Sequence, residues 1–542
     1  MNKKSGSIGA LALTLLAIAI VVVLVLKKGS AAEPSQAVTL KNGDTYTMTA
    51  SYVSQIIDGN KQKMLAYNGS IPGPTIHVEQ GAEITINFKN DTDMPQLLHS
   101  HGVRMDNAFD GSQSVQQEMK PGESFAYKLK FPDVGVYWYH PHANEVYGQP
   151  RGLYGAFIVT PKSTNYFPPV NREVPIFLSD LPLENGKITI DKNDSDHTLM
   201  GHYGNVLLVN GQEHYTLFAQ QGEVVRLYVI NAANARPYNF AINGAKMKLV
   251  GGDSGAYERA TFADSVVLGS SERAIVDVYF ANPGTYAIEN KTPNKTYSMG
   301  NIVVEAGTVS FSYKKQFDIL QTNTETVSSI DPFRKYFDAS PDKELSLTVS
   351  MSMMGGMNHS MHSSDTDEDT VNLMGMQMTR EAATAHCKTM PNMSGCEPFL
   401  GSGKPDPALD GIEWEDTMGA MNGMMDSEST QWKIVDNETG KENMDIMWDL
   451  EKDQPVKIRI TNDANSMHPM QHPMHFHGQR FLVVSRNGVR QTNLVWKDTV
   501  LVKAGETVDI ILDPSNPGTW MAHCHIAEHL AGGMMFGFRV HP

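Results

Sequence analysis

Apolar and polar residues alternate with a period of two through most of this chain. AEITINFKN (82–90), SFAYKLKF (124–131), GVYWYH (135–140) and GAFIVT (155–160) follow one another between turn residues such as PG and DG. A two-residue period is what a strand with one buried face requires, because successive side chains point to opposite sides of a sheet. The same grammar returns in VPIFLSD, NVLLVNG, VVRLYVIN and AIVDVYF, and again in QWKIVD, VKIRITN, FLVVSRNG and TVDIILD. Short strands separated by Gly- and Pro-bearing turns predict an all-β protein of packed sandwiches. With 542 residues the chain is too long for a single core. We expect three sandwich domains, over residues 35–162, 163–318 and 319–542, the last interrupted by an insert at about 354–430. The phrases PGESFAY, PGTY and PGTW recur in the three segments and support triplication.

Two stretches break the pattern. Residues 8–26, IGALALTLLAIAIVVVLVL, are uncharged and end on Lys27 and Lys28, long enough for a helix across a hydrocarbon core of roughly 30 Å. Residues 1–34 therefore read as a membrane anchor, with a signal peptide ending near Ser30-Ala31-Ala32 as the alternative. Either way the remainder is expected outside the cytoplasm, on the periplasmic or extracellular side. No twin-arginine pair precedes the span, which implies export unfolded and metal loading afterwards. The second break is the insert, where methionine concentrates: 14 of the 31 fall between Met351 and Met425. In ELSLTVSMSMM the positions Leu345, Leu347, Val349, Met351 and Met353 alternate and read as a buried strand face. Beyond it, GGMNHSMH and MGAMNGMMD have too many small and polar neighbours for a core. Thioether sulfur is a soft ligand for Cu(I), so Met357, Met361, Met418, Met421, Met424 and Met425 are candidates for a copper-collecting surface.

Charge narrows the partners. A formal net charge of −16 leaves no basic face for phosphate backbones, so nucleic acid is excluded as a partner. The three cysteines divide into Cys387 and Cys396, which close the short loop HCKTMPNMSGC, and Cys524. The first two predict a disulfide in an oxidising compartment, with a metal clip joined by His386 as the alternative. Cys524 stays unpaired between His523 and His525, which marks it for reactivity or metal ligation.

Ten of the 19 histidines lie in four tight groups: HSHG (His99, His101), HPH (His140, His142), HPMHFHG (His472, His475, His477) and HCHIAEH (His523, His525, His529). In an extended chain, residues two apart face the same side, so each HxH aims two imidazoles at one place, and Cys524 points the opposite way. His472, an odd number of residues before His475, also leaves the shared face. The sequence thus specifies two sites back to back. One holds eight imidazoles, the other Cys524, His472 and His529 with Met534 available. A thiolate with two imidazoles and a weak thioether is the blue-copper donor set, and eight imidazoles without thiolate suit a group of coppers that reduces dioxygen. His468 reads as an exposed loop residue, and His77, His197, His202 and His214 lack partners at ligand spacing.

These four motifs, in this order, resemble those of the multicopper oxidases, the family of laccases and bacterial cuprous oxidases. The resemblance spans the chain after the anchor. It implies three cupredoxin-like Greek-key sandwiches and four copper ions. By motif position His472, Cys524, His529 and axial Met534 hold the type 1 copper, which faces the surface. His99 and His475 hold the type 2 copper. His101, His140, His142, His477, His523 and His525 hold the type 3 pair. The implied activity is one-electron oxidation of a phenolic or metal-ion donor such as Cu(I), coupled to four-electron reduction of dioxygen to water. Asp110 in FDG matches the family acid that supplies protons, although an Asp before Gly111 equally suits a turn. Leu530 stands where many bacterial relatives carry a carboxylate, and Glu528 reads as exposed. Copper nitrite reduction and copper sequestration are the competing functions; paired HxH motifs in both end segments argue against the former. The oligomeric state has no signature in the sequence.

Overall fold

The computed structural model describes residues 30–192, 195–307, 309–351, 370–373, 376–379 and 411–542. The proposed membrane span at residues 8–26, Met353, Met357, Met361, His386, Cys387 and Cys396 lie outside them. Among the described residues no helix is long and apolar enough to cross a membrane.

The alternating runs form three pairs of sheets. In the first pair, a five-stranded sheet runs in the order Ala37–Thr39, Thr75–Glu79, Gly155–Thr160, Gly135–Pro141, Leu98–His101. It faces a four-stranded sheet containing Thr45–Ile57 and Glu83–Asn90, and Ile76, Phe88, Tyr127 and Phe157 close the core between them. The second pair has a six-stranded sheet around Val224–Asn231 and Arg273–Tyr279 and a five-stranded sheet around Gly284–Lys291. In the third pair a six-stranded sheet centres on Val456–Asn462 and Thr507–Asp513. Its partner runs Met447–Glu451, Met535–His541, Gly518–Cys524, His472–Phe476, Thr499–Val502. Leu345, Leu347 and Val349 point into this third core, as their spacing predicts.

Some strands are buried on both faces. Every residue of Gly135–Pro141 is buried, because one side of its sheet meets the first core and the other meets the second sandwich. Val136 and Trp138 pack there with Phe177, Tyr228 and Ile275. A fully buried large aromatic such as Trp138 removes 150–250 Å² from water, a transfer term of about 4–6 kcal/mol. That contact fixes the first sandwich against the second.

Register does the rest. Leu98–His101 pairs antiparallel with Gly135–Pro141 so that His99 lies opposite His140. His472–Phe476 pairs antiparallel with Gly518–Cys524 so that His475 lies opposite His523. A slip of one residue would send every imidazole to the other face. Each histidine strand of the HxHG type then ends on a glycine in the left-handed region. Gly102 has φ +80° and Gly478 φ +63°; a Cβ would meet Asp498 Oδ2 at 2.2 Å in the first case and the Trp520 ring at 2.3 Å in the second. Only glycine lets the chain turn there with neighbours so close.

Candidate metal centres

The first and last sandwiches meet so that all eight HxH imidazoles converge. His99 stacks on His477 at 4.2 Å between ring centroids and His101 on His475 at 3.7 Å, each pair joining strands nearly four hundred residues apart. All eight residues are at most 2% exposed. Groups of three ligand atoms within 4.8 Å of one another include His99–His475–His477, His99–His101–His140 and His142–His477–His523.

Hydrogen bonds decide which nitrogen each ring presents. Nδ1 donates to the carbonyl of Asp110 in His99 (2.7 Å), of Pro141 in His140 (2.9 Å), of Asp498 in His475 (2.9 Å) and of Cys524 in His523 (2.9 Å). Nδ1 of His142 donates to Gln113 Oε1 (3.0 Å) and that of His477 to Asp110 Oδ2 (2.9 Å). These six rings therefore present Nε2. His101 is reversed: its Nε2 is held by Asp498 Oδ1 and Thr499 Oγ1, both at 3.0 Å, leaving Nδ1 without a partner. Such outer contacts set tautomer and orientation in metal sites.

The arrangement fits cations. His477 Nε2 lies 2.9 Å from His523 Nε2, although both rings have already given their Nδ1 hydrogen to oxygen. Two lone pairs that face each other at this distance repel unless a positive charge lies between them. Nε2 of His99, His142 and His475 are buried with no hydrogen-bond partner. Burial also keeps the rings neutral, as metal binding requires. It lowers His99 to about 4 and His525 to about 3 and holds His101, His140, His142, His475 and His523 well below the ordinary imidazole value.

Behind this centre stands the second one. Cys524 Sγ lies 3.5 Å from His472 Nδ1 and 3.6 Å from His529 Nδ1, and the two nitrogens are 3.2 Å apart. This near-equilateral triangle has the donors of a trigonal His₂Cys copper site. Burial pushes the Cys524 thiol well up, so without a cation the sulfur keeps its proton. Met534 is fully buried in the same core, and its carbonyl accepts the Cys524 amide hydrogen at 3.1 Å.

Several residues depart from the sequence reading. The mononuclear ligands do not face the surface: His472, Cys524 and His529 are wholly buried. Trp432 stacks on His529 at 4.1 Å, and its Nε1 donates to the Thr198 carbonyl at 2.7 Å. Leu199 and Met200 of the middle sandwich pack on the third core, as do the partly buried Met418 and Met425. Two of the candidate methionines thus serve packing, whereas Met421 and Met424 are 36% and 74% exposed. His468 is buried rather than exposed, and burial lowers it to about 4. Glu528 is also buried, because His202 Nδ1 donates to its Oε1 at 2.6 Å. His202 and His197, which lack partners in sequence, stack on each other at 4.1 Å.

Asp110 is at once turn and site. It closes the short helix Asn107–Phe109 before Gly111, and its carboxylate holds His477. Burial alone would raise its pKa, but the His477 and His99 imidazoles hold it down at about 2. Sequence reasoning missed Asp498, Arg273 and Glu145. Asp498 orients His101 and His475, and the guanidinium of Arg273 donates from Nη1 to Asp498 Oδ1 at 2.6 Å. Glu145 lies 3.2 Å from His142 Nδ1; burial, then the Glu528 charge, push it up to about 8. Glu145 could have been suspected from HPHANE, three residues after a ligand. Asp498 and Arg273 carry no such signal.

Three sandwiches with a cysteine–imidazole triangle and a cage of eight imidazoles carry the donor groups of a copper protein. The comparisons agree. Family models described as multicopper oxidase match residues 49–164, 172–313 and 415–542. The multicopper oxidase mco of Staphylococcus aureus is 24% identical over 509 residues, covering 92% of this chain and 88% of that protein. Laccase-3 of Arabidopsis thaliana is 25% identical, with 88% of each chain covered. Among solved structures, a multicopper oxidase from Campylobacter jejuni, titled a metallo-oxidase, superimposes with a TM-score of 0.63 at 22% identity, over 95% of this chain and 98% of that one. McoA from Aquifex aeolicus superimposes with a TM-score of 0.66 at 20% identity, over 95% and 100%. The chain belongs to the multicopper oxidase family. Its members are copper-dependent oxidoreductases, typically with four coppers, that use oxygen and a small electron donor.

Proposed function

We propose that this protein oxidises a phenolic or metal-ion donor by single electrons at a type 1 copper that His472, Cys524 and His529 would hold, with Met534 as a further thioether donor. In this reading His99 and His475 hold the type 2 copper. His101, His140, His142, His477, His523 and His525 hold the type 3 pair. The bound coppers supply one-electron chemistry at the first site and four-electron reduction of dioxygen to two waters at the second.

The chain's own residues make that pairing work. Cys524 ends the strand Gly518–Cys524 between His523 and His525; its sulfur faces His472 and His529 while the flanking rings face the cage. One peptide unit on either side of Cys524 separates the centres, and this covalent path is the single observation that carries the proposal. The outer hydrogen bonds hold the cage rings in place, so little reorganisation accompanies electron arrival. Asp110 holds the His477 Nδ1 proton, and Asp498 holds the His101 Nε2 proton. We further propose that residues 8–26 anchor the chain and leave the sandwiches outside the cytoplasm. Nitrite reduction is disfavoured by the cage itself, which gathers histidines from both end sandwiches.

Cys524→Ser tests the assignment. Serine keeps the size of the side chain but not the soft thiolate. The blue colour of the copper-loaded protein and dioxygen uptake with a phenolic donor are both expected to vanish. An unchanged visible spectrum would overturn the assignment of Cys524, and copper uptake without oxygen consumption in the unaltered protein would favour sequestration.

A further inference from the structure

Away from the two centres, a cleft of about 280 Å³ opens between the middle and last sandwiches. One side comes from the strands Gly255–Ala263 and Val266–Leu268, the other from Arg480–Arg486 and residues 491–503. The two sides are stitched together beside it. Ser254 N donates to the Trp496 carbonyl at 3.1 Å, Glu258 N to the Leu494 carbonyl at 2.9 Å and Arg259 N to Asn493 Oδ1 at 3.0 Å. Concave seams of this kind are where small molecules are commonly held, by apolar walls and a few convergent polar groups.

The charge of the cleft runs against that of the chain. The whole protein carries −16, yet the described lining holds Arg273, Arg486, Lys497 and Lys503 against one carboxylate, Glu272. That carboxylate is already engaged: its Oε2 accepts Gly269 N at 2.9 Å, and its Oε1 lies 3.2 Å from Lys497 Nζ. A local excess of one sign in a concave site draws in the opposite charge.

Arg273 is consumed by Asp498, but three other side chains have donors to spare. Arg486 gives Nη1 to the Leu501 carbonyl at 3.0 Å and to Glu506 Oε2 at 2.9 Å, and among the described residues its Nε and Nη2 hydrogens have no acceptor. Lys497 has three ammonium hydrogens and two carboxylate neighbours, Asp253 at 3.1 Å and Glu272 at 3.2 Å. The Tyr257 hydroxyl takes no hydrogen bond among the described residues and stands within electrostatic reach of both Lys497 and Arg486. A guanidinium edge presents parallel N–H groups that match a carboxylate. Leu268, Val483, Leu494 and Leu501 also line the cleft, which suits an organic body rather than a bare inorganic ion.

We propose that this cleft binds a small organic carboxylate, gripped by Arg486, with Lys497 and Tyr257 completing the donor set and the apolar walls holding the body. The ligand joins Tyr257 of the middle sandwich to Arg486 of the last one and so favours their docking. It sits close behind the histidine cage, because Lys497 immediately precedes Asp498, which orients His101 and His475. The site does not rest on the oxidase function proposed above.

Benzoate is the probe, titrated into the full, copper-loaded chain by isothermal titration calorimetry. Benzamide, its neutral counterpart, and inorganic phosphate, an anion without an apolar body, are the comparators. One benzoate per chain is expected, with both comparators bound at least about tenfold more weakly. Arg486→Gln should cost benzoate at least about tenfold in affinity. Tyr257→Phe removes one oxygen that has no partner among the described residues, so folding is spared, and should cost about two- to tenfold. Benzoate should also raise Tm with increasing concentration in the unaltered protein, and less so in the variants. Absence of both the binding heat and the Tm rise in the unaltered protein, or equal affinity in all three proteins, would overturn the site. Benzamide bound as tightly as benzoate would refute the need for an anion, and phosphate bound as tightly would refute the organic body. A benzoate-induced change of the blue colour that persists in both variants would place the binding at the coppers and sink the proposal.

Discussion

Arg273 offers the sharpest test of how the three sandwiches hold the histidine cage. Its side chain is fully buried and comes from the middle sandwich, which supplies no cage ligand. Nε donates to the Val136 carbonyl of the first sandwich at 2.9 Å. Nη1 donates to the Ser271 carbonyl at 3.1 Å and to Asp498 Oδ1 of the third sandwich at 2.6 Å. Nη2 engages the second Asp498 oxygen, so the pair is bidentate. Arg273→Met keeps the volume and removes the charge. Asp253 retains Lys497 at 3.1 Å, but Asp498 loses its one arginine and remains a buried carboxylate. Removing one partner of a buried pair costs about 3–5 kcal/mol. At roughly 2.1 cal/mol/K per residue, a chain of this length melting as one unit has an unfolding entropy of about 1.1 kcal/mol/K, so Tm should fall by about 3–4 °C. Differential scanning calorimetry on the copper-free protein measures it. Adding Asp498→Asn to the variant removes the stranded charge and should recover at least half of the loss. Because Asp498 orients His101 and His475, the copper-to-protein ratio should also fall in Arg273→Met with the blue colour retained. A Tm within about 1 °C of the unaltered protein together with full copper content would refute the reasoning.

Two other outcomes follow from the same geometry. Asp110→Ala strips His477 of its Nδ1 partner and should weaken copper retention against a competing chelator by about 10–100-fold; unchanged retention would reduce Asp110 to its turn. Acid should destabilise the copper-free protein well before it protonates the folded cage. The folded values of about 4 for His99 and about 3 for His472 and His525 lie below the ordinary 6.5. Between those values the unfolded chain binds protons that the folded chain refuses, so this contribution is complete above pH 6.5 and is lost as pH falls toward 4. A Tm that stays flat from pH 7 to pH 4.5 would contradict the burial of these rings. Copper should blunt the effect, because it binds the folded state alone.

The amino-acid sequence by itself determined the strands and which candidate ligands share a face. A period of two is local, so runs such as AEITINFKN declare a sheet face without knowledge of their neighbours. An HxH triplet declares two convergent imidazoles for the same reason, and Cys524 between two histidines declares a sulfur on the opposite side. What surrounds those ligands was decided only in three dimensions. Glu528 and His468 look like surface residues in a polar stretch, yet both are buried. The contacts that enclose them include the 195–202 loop for Glu528 and Trp432 for His468, more than three hundred and some thirty-five residues away respectively. Arg273 and Asp498 are 225 residues apart, and no spacing rule connects them. His202 meets Glu528, 326 residues away, only when the middle and last sandwiches dock. Backbone periodicity and side-chain direction act over a few residues and can be read from one strand. Burial, ion pairing and outer hydrogen bonds depend on which surfaces meet, and that is set by the packing of whole sheets.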